Sequence, residues 1–186
     1  MNEVQAIKDV NHIKLLRESL NQGNKAKRNV FMLDFGISVP MRISDMLLLR
    51  VGEVRGVREI VIKETKTGKI NKFSVSKKLA TVIYNYTNMM QDNDYLFSSQ
   101  KGDQPISRIQ AYRILNKAVE WCGLNITMGC HSLRKTYGYH FYSLNPTKHL
   151  AYLQKILNHS SSAVTLRYIG IEQSEIELAN DELDFW

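Results

Sequence analysis

The sequence predicts a mainly α-helical α+β domain that carries one small antiparallel β-sheet or hairpin. Apolar residues recur at helical spacing through most of the chain, as they do across residues 3–20. Residues 57–76 alternate apolar and polar positions instead, and Gly68 in their middle supplies the positive φ that a hairpin turn needs. The length of 186 residues suits one compact domain, so we expect residues 1–186 to form a single unit.

The helices follow from apolar spacing, caps and breaks along the chain. Gly36 and Pro40 are expected to end the second helix, Ser107 to cap the fifth and Gly123 to stop it. Asn145-Pro146 should break the helix that begins at His131, with Thr147 as the next cap. Residues 93–104 are predicted to be a loop. The predicted helices span residues 3–20, 28–35, 44–50, 77–91, 108–122, 131–143, 147–157, 161–168 and 173–183.

The charge balance favours a polyanionic partner. Lys and Arg number 25 against 18 Asp and Glu, which gives a formal charge of +7 and a pI near 9.4. Nucleic acid is the first candidate for such a partner, although charge alone leaves a merely basic protein open. The stretch from Arg55 to Lys78 is strongly basic and the stretch from Glu172 to Asp184 is acidic. We therefore expect the C-terminal tail to lie away from DNA.

Cysteine usage and hydropathy bound the compartment and the cofactors. Cys122 and Cys130 form no CxxC pair, and no neighbouring residue completes a metal-ligand spacing, so both are expected to be free thiols. No apolar run approaches the roughly 20 residues of a membrane span, and Met1-Asn2-Glu3-Val4 does not begin a signal peptide. The sequence thus predicts a cytoplasmic protein with no membrane partner, no metal and no cofactor.

Four residues in two C-terminal segments fit attack on a phosphate by a phenol. His131 and Arg134 lie three apart, a spacing that places them on one face of a helix start. His159 follows, and Tyr168 comes nine residues after it. Histidines donate to phosphate oxygens or carry protons near neutral pH, arginine binds two oxygens at once, and tyrosine supplies the nucleophilic oxygen.

Two further cations could complete such a site. Arg42 lies beside the break between Gly36 and Pro40, at the start of a helix that is otherwise apolar, and could clamp the phosphate together with Arg134. Lys66 lies at the tip of the predicted hairpin, where it could reach into a groove and protonate a leaving 5′-oxygen.

Each of these residues also has a structural explanation when it is taken singly. Arg42 could be a surface charge, His131 a helix cap, His159 a core histidine, and Tyr168 is one of nine tyrosines. Other lysines of the hairpin could be the acid in place of Lys66, namely Lys63, Lys69 and Lys72. We expect structural roles for His140 and His149 and packing roles for Tyr137, Tyr139 and Tyr142.

In four segments that occur in order, the chain resembles the catalytic domain of the tyrosine recombinases, the phage integrase family. These are Met41-Arg42-Ile43-Ser44-Asp45-Met46-Leu47-Leu48-Leu49-Arg50, Lys66-Thr67-Gly68-Lys69, His131-Ser132-Leu133-Arg134-Lys135-Thr136, and Leu157-Asn158-His159-Ser160-Ser161 with Thr165 and Tyr168. Pro40-Met41 stands where the family usually has Gly-Leu, Asp45 where Glu is commoner, and Asn158 where glycine is usual. Since Asn tolerates the left-handed conformation, we expect that turn to be kept.

The resemblance implies site-specific recombination of double-stranded DNA without metal or ATP. Tyr168 would form a 3′-phosphotyrosyl link and release a 5′-hydroxyl, and a 5′-hydroxyl from a second duplex would reseal the strand. Arg42, Arg134, His131 and His159 would bind the phosphate, with Lys66 as the general acid.

It also implies how such a protein is organised. Family members act as tetramers on paired sites, often exchanging a C-terminal segment, a role open to the tail after Tyr168. The family's separate N-terminal DNA-binding domain is expected to be absent from this chain, and the source to be a bacterium or phage. Two alternatives remain open: a weak or silent DNA-binding relative, and a type IB topoisomerase that relaxes a single duplex.

Overall fold

The computed structural model describes residues 4–100, 103–129 and 131–171. Helices predominate and one two-stranded sheet interrupts them, which confirms the predicted fold class. Cys130 and the predicted tail helix at 173–183 lie outside the described residues. The elements in order are α1 (Val10–Leu20), α2 (Ala26–Ser38), α3 (Ile43–Met46), a 3₁₀ turn (Val51–Glu53), β1 (Glu59–Lys63), β2 (Ile70–Ser74), α4 (Lys77–Thr87), α5 (Arg108–Trp121), α6 (Ser132–Leu144), α7 (Pro146–Leu157) and α8 (Ser162–Ile169).

The sheet is the predicted hairpin. β1 and β2 pair antiparallel, with Ile60 opposite Phe73 and Lys63 opposite Ile70. Ile60 and Phe73 are buried on one face, and the alternate positions face outward. This alternation anchors the strands on the helical core, and the loop that connects them contains Lys66.

The first helix begins at Val10, so the predicted helix is wrong for residues 4–9. Residues 4–8 form no helix and lie against α6 and the segment that precedes it instead. The amide of Gln5 donates to the Thr127 carbonyl at 3.0 Å, and the amide of Ile7 donates to Thr136 Oγ1 at 2.8 Å. Asp9 then caps α1 by accepting from the Asn11 amide. The spacing of Val4 and Ile7 therefore reflects tertiary contacts and not helical periodicity.

Replacing Thr136 with valine should lower the free energy of unfolding by about 1–3 kcal/mol, because the buried Ile7 amide would lose its acceptor. The Thr136 side chain is fully buried and also donates to the Ser132 carbonyl. Thr81→Val is the matched control, since exposed Thr81 makes the same bond to the carbonyl four residues earlier. Urea unfolding of both variants tests the prediction, and equal losses would contradict it.

Two helical glycines allow the helices around α6 to approach closely. A Cβ at Gly36 would lie 2.4 Å from a Leu133 methyl carbon, and one at Gly138 would lie 2.7 Å from Ile169. The expected break at Gly36 is therefore wrong: α2 continues to Ser38 because the glycine packs against α6. Gly138 likewise seats α8, which carries Tyr168, directly on α6.

Other boundaries also differ from the predictions. The helix expected over 44–50 ends at Met46, since Leu49 and Arg50 turn away to pair with residues 95 and 96. The helix expected to reach residue 91 ends at Thr87. Asn145, not Thr147, caps α7, because its side chain accepts from the Lys148 amide and Pro146 fits the first helical position. Ser107 and Gly123 take their predicted places around α5.

The apolar residues form two clusters. The large one joins α1 to α5, the hairpin and Leu133 at the start of α6. The smaller one is built on Leu153, Leu157 and Ile169, with Tyr168 and several rings of α6 at its margin. Tyr137, Tyr139 and Tyr142 pack in this cluster, as expected. Of the helices that the structure describes, none is both long and apolar enough to cross a membrane.

Candidate active site

The start of α6 presents the first pair of predicted site residues. His131 is the N-cap residue, exposed at the surface, and Arg134 lies one turn further on with only 4% of its surface exposed. Leu157 is the last residue of α7, and its carbonyl accepts a hydrogen bond from Arg134 Nη2 at 3.2 Å. The predicted helix start is confirmed, and the arginine is fixed by a backbone contact to the segment that carries the next histidine.

The turn between α7 and α8 positions His159. Asn158 adopts the left-handed conformation, with φ 57° and ψ 47°, as the sequence predicted for this position. The turn brings His159 Nδ1 to 3.2 Å from Thr165 Oγ1 on α8, and Thr165 is fully buried. The orientation of the imidazole is therefore set by α8 itself.

Tyr168 on α8 faces both histidines. Its Oη lies 3.3 Å from His131 Nδ1, and its ring centroid lies 4.9 Å from that of His159 in an edge-to-face arrangement. Lys135 Nζ lies 5.5 Å from the centre of the Tyr168 ring and donates to the Val4 carbonyl at 2.7 Å. The phenol oxygen thus has an imidazole nitrogen within reach of its proton.

Arg42 reaches the same place from a segment far away in the sequence. It is the residue before α3, and its side chain is about four-fifths buried. Arg42 Nη1 forms an ion pair with Glu64 Oε1 at the end of β1. Its charge is among the causes that lower the pKa of His131 and of His159, and it opposes the rise in the pKa of Tyr168. Segments far apart in sequence therefore converge on one cationic cluster.

Lys66 lies exposed in the loop between β1 and β2, as predicted. Its charge is among the causes that lower the pKa of His131, which places its ammonium group near the site. Lys72, one of the alternatives, is instead paired with Glu59 at 3.2 Å. This geometry favours Lys66 over Lys72 as the lysine that faces the other residues.

The surroundings of the site shift the pKa of Tyr168 and the pKa values of the two histidines in opposite directions. Burial raises the pKa of the Tyr168 phenol, although the charges of Arg134 and Arg42 oppose this. Desolvation and then the neighbouring positive charges, Arg134 first, lower the pKa of His131 and of His159. At neutral pH the phenol is therefore protonated and both imidazoles are neutral, so His131 Nδ1 can accept the phenol proton.

The lowered histidine pKa values predict that the protein loses stability below about pH 6.5, the unperturbed value. In the interval between the folded and the unfolded pKa, the unfolded chain binds more protons, so the free energy of unfolding falls as pH falls. Thermal unfolding tests this: between pH 7.5 and 5.5 the melting temperature should fall less for the double variant, His131→Gln with His159→Gln, than for the wild type. His12→Gln, beside Asp9 on α1, is the control. Equal losses in the double variant and the wild type would contradict the prediction.

The structure adds two residues that sequence reasoning did not single out. Lys135 contacts the Tyr168 ring, and Glu64 holds Arg42. His140 and His149 have the expected structural contacts, each with a ring nitrogen within 2.9 Å of a backbone carbonyl. Within residues 4–100, 103–129 and 131–171, no group of three or more His, Cys, Asp or Glu side chains could hold a metal ion.

The chain is similar to known proteins over nearly all of its length. A model of the phage integrase family matches residues 8–175. The "Probable integrase/recombinase YoeC" of Bacillus subtilis is 46% identical over 179 residues, which cover 96% of each chain. A "Tyrosine recombinase" of Pseudothermotoga lettingae is 28% identical over 86% of this chain and 55% of its own length.

The fold is also found in a solved structure. The recombinase XerH, in a post-cleavage complex with a palindromic difH substrate, superposes with a TM-score of 0.73 at 18% identity. The match covers 97% of this chain and 53% of that one. This chain thus spans nearly the whole length of YoeC but about half the length of the other two proteins.

Proposed function

Because this chain belongs to the phage integrase family of tyrosine recombinases, we propose that it cleaves and rejoins double-stranded DNA through Tyr168. The observation that carries the proposal is the contact of 3.3 Å between the Tyr168 phenol and an imidazole nitrogen of His131. The other charged or polar groups near this contact are Arg134, Arg42, His159 and Lys66. Membership of the family implies site-specific DNA recombination.

The proposed cleavage step is an in-line displacement at phosphorus. Tyr168 Oη attacks, and its proton passes to His131 Nδ1. The bond between Oη and phosphorus forms as the bond between phosphorus and the 5′-oxygen breaks. The leaving 5′-oxygen takes a proton from Lys66, so a 3′-phosphotyrosyl link and a 5′-hydroxyl result. A 5′-hydroxyl from a second duplex reverses the step and completes the exchange.

The arginines and the second histidine stabilise the charge of the transition state. Arg134 and Arg42 present planar donor groups to the non-bridging oxygens, whose negative charge grows as phosphorus becomes five-coordinate. Neutral His159 donates to the same oxygens in the tautomer that carries its proton on Nε2, in which Thr165 Oγ1 turns its own proton toward His159 Nδ1. Donors that are held in position ahead of the reaction lower its barrier by preorganised electrostatics.

The 186 residues would form one catalytic domain, four copies of which act on two paired DNA sites. The supporting facts are the excess of positive charge and the likeness to a DNA-bound recombinase. A tetramer supplies four tyrosines, one for each strand that a complete exchange must break.

A pool of nicked duplexes with a randomised core tests the proposal whatever the target sequence is. The nick lets the cleaved end diffuse away, so covalent complexes accumulate and their DNA is recovered after denaturation and sequenced. We expect a recovered consensus site and, with two such duplexes, joint molecules. Relaxation of one supercoiled duplex without joint molecules would indicate a topoisomerase. DNA binding without any adduct would indicate a silent relative.

A further inference from the structure

A buried carboxylate joins Arg42 to the loop that carries Lys66. Glu64 is the residue after β1, and only 4% of its side chain is exposed. Its Oε1 pairs with Arg42 Nη1 and accepts from Asn71 Nδ2 at 2.6 Å. Its Oε2 accepts from Thr67 Oγ1, also at 2.6 Å. One side chain thus contacts Arg42, the loop that carries Lys66, and the start of β2.

A carboxylate in such a position is stable only when it is fully paired. Burial alone would raise the pKa of Glu64, but the bonds from Arg42, Thr67 and Asn71 outweigh it and hold that pKa below the ordinary value. Glu64 is therefore charged at neutral pH. Its charge fixes one edge of the Arg42 guanidinium, and the other donors of the fork remain for a phosphate.

The same residue closes the Lys66 loop. The Glu64 amide donates to the Lys69 carbonyl at 2.9 Å, and the Gly68 amide donates to the Glu64 carbonyl at 2.8 Å. The loop is tied to α3 as well, because Asp45 Oδ1 accepts from the Thr65 amide at 3.0 Å. Lysine is a flexible side chain, so the loop backbone decides where its ammonium group can reach.

We propose that Glu64 is a positioning residue that couples Arg42, which binds the phosphate, to Lys66, which protonates the leaving oxygen. Glu64 touches no reacting atom. Glu64 fixes the positions of Arg42 and of the Lys66 loop relative to each other, so that both side chains act on the same phosphodiester. This inference rests on the proposed function, in which both residues act on one phosphate.

The coupling predicts which chemical step suffers when Glu64 is changed. A substrate with sulfur in place of the bridging 5′-oxygen needs no general acid, because the electron pair of the broken bond remains on a stable thiolate. Misplacing Lys66 therefore slows cleavage of the ordinary phosphodiester and has little effect on the sulfur-containing one. Misplacing Arg42 slows both, since the non-bridging oxygens are the same in the two substrates.

Three variants in the full chain separate these effects, with nicked duplexes of the selected site as substrates. Glu64→Gln should slow adduct formation on the ordinary duplex on the order of 10- to 100-fold, the cost of misplaced groups, with partial recovery on the 5′-thio duplex. Thr67→Val leaves the pair between Arg42 and Glu64 intact and loosens only the loop. Its adduct formation on the ordinary duplex should slow by less, and its rate on the 5′-thio duplex should equal that of the wild type. Glu59→Gln removes the same charge from the exposed pair with Lys72 and should match the wild type.

The outcomes are distinct. If Glu64→Gln stays within twofold of the wild type on the ordinary duplex, Glu64 positions nothing. If each of Glu64→Gln and Thr67→Val slows adduct formation by the same factor on the 5′-thio duplex as on the ordinary one, the variants do not disturb Lys66, and the coupling is overturned. Thr67→Val keeps the inference testable should Glu64→Gln fold poorly. If the wild type forms no adduct on either duplex, the proposed function itself fails, and the inference fails with it.

Discussion

Replacing Tyr168 with phenylalanine should abolish the covalent complex with DNA, a loss on the order of 10⁴-fold or more, because phenylalanine has no oxygen to attack phosphorus. The ring packs at the margin of the C-terminal cluster and keeps its contacts with His159, so the fold should be unchanged. DNA binding should also persist, since the phenol contributes no charge. Denaturing gels of the nicked-duplex reaction measure the adduct, and filter binding measures the affinity.

Tyr152→Phe is the matched control for this change. Tyr152 lies exposed on α7, and its loss of a hydroxyl should leave the adduct yield at the wild-type level. An adduct that persists in Tyr168→Phe, at more than a trace, would assign the nucleophile to another residue.

Arg134→Lys should have the second-largest effect, slowing cleavage about 10²- to 10³-fold, as the loss of one preorganised donor does. Lysine keeps the charge but lacks the planar fork of donors. Because lysine is also shorter, the Leu157 carbonyl would lose the hydrogen bond that it accepts from Arg134 Nη2 at 3.2 Å. Since the charge is kept, the equilibrium affinity for DNA should change little. Single-turnover cleavage at saturating protein separates the rate from the affinity.

An arginine outside the site provides the comparison. Arg17 pairs with Asp34 through two hydrogen bonds of 2.9 and 2.7 Å, so Arg17→Lys makes the same substitution at a structural ion pair. We expect its cleavage rate to equal that of the wild type. A rate for Arg134→Lys within tenfold of the wild type would mean that bidentate binding at this position contributes little.

The sequence was informative wherever local chemistry and residue spacing determine the result. The alternation of residues 57–76, the cap at Ser107 and the left-handed turn at Asn158 were all predicted and are present. Residue types and spacing also led to six candidate site residues, and in the fold they are linked by contacts or by their charges, namely Arg42, Lys66, His131, Arg134, His159 and Tyr168. Their catalytic roles stay predictions until the variants are measured.

Contacts between distant segments were beyond such reasoning. Val4 and Ile7 have helical spacing, yet they lie in a non-helical segment because Thr127 and Thr136 bind its backbone. Gly36 looks like a helix break, but the helix continues because Leu133 occupies the space beside it. Glu64 stands among charged hairpin residues, and only the fold shows that its side chain is buried against Arg42.

The chemical identity of the covalent link tests the central claim most directly. Digestion of the wild-type adduct with nuclease and protease, followed by mass spectrometry, should give one peptide in which Tyr168 carries the 3′-phosphate of a nucleotide, with a 5′-hydroxyl on the released strand. A nucleotide on a different residue, or a tyrosine linked to a 5′-phosphate, would contradict the mechanism proposed for this site.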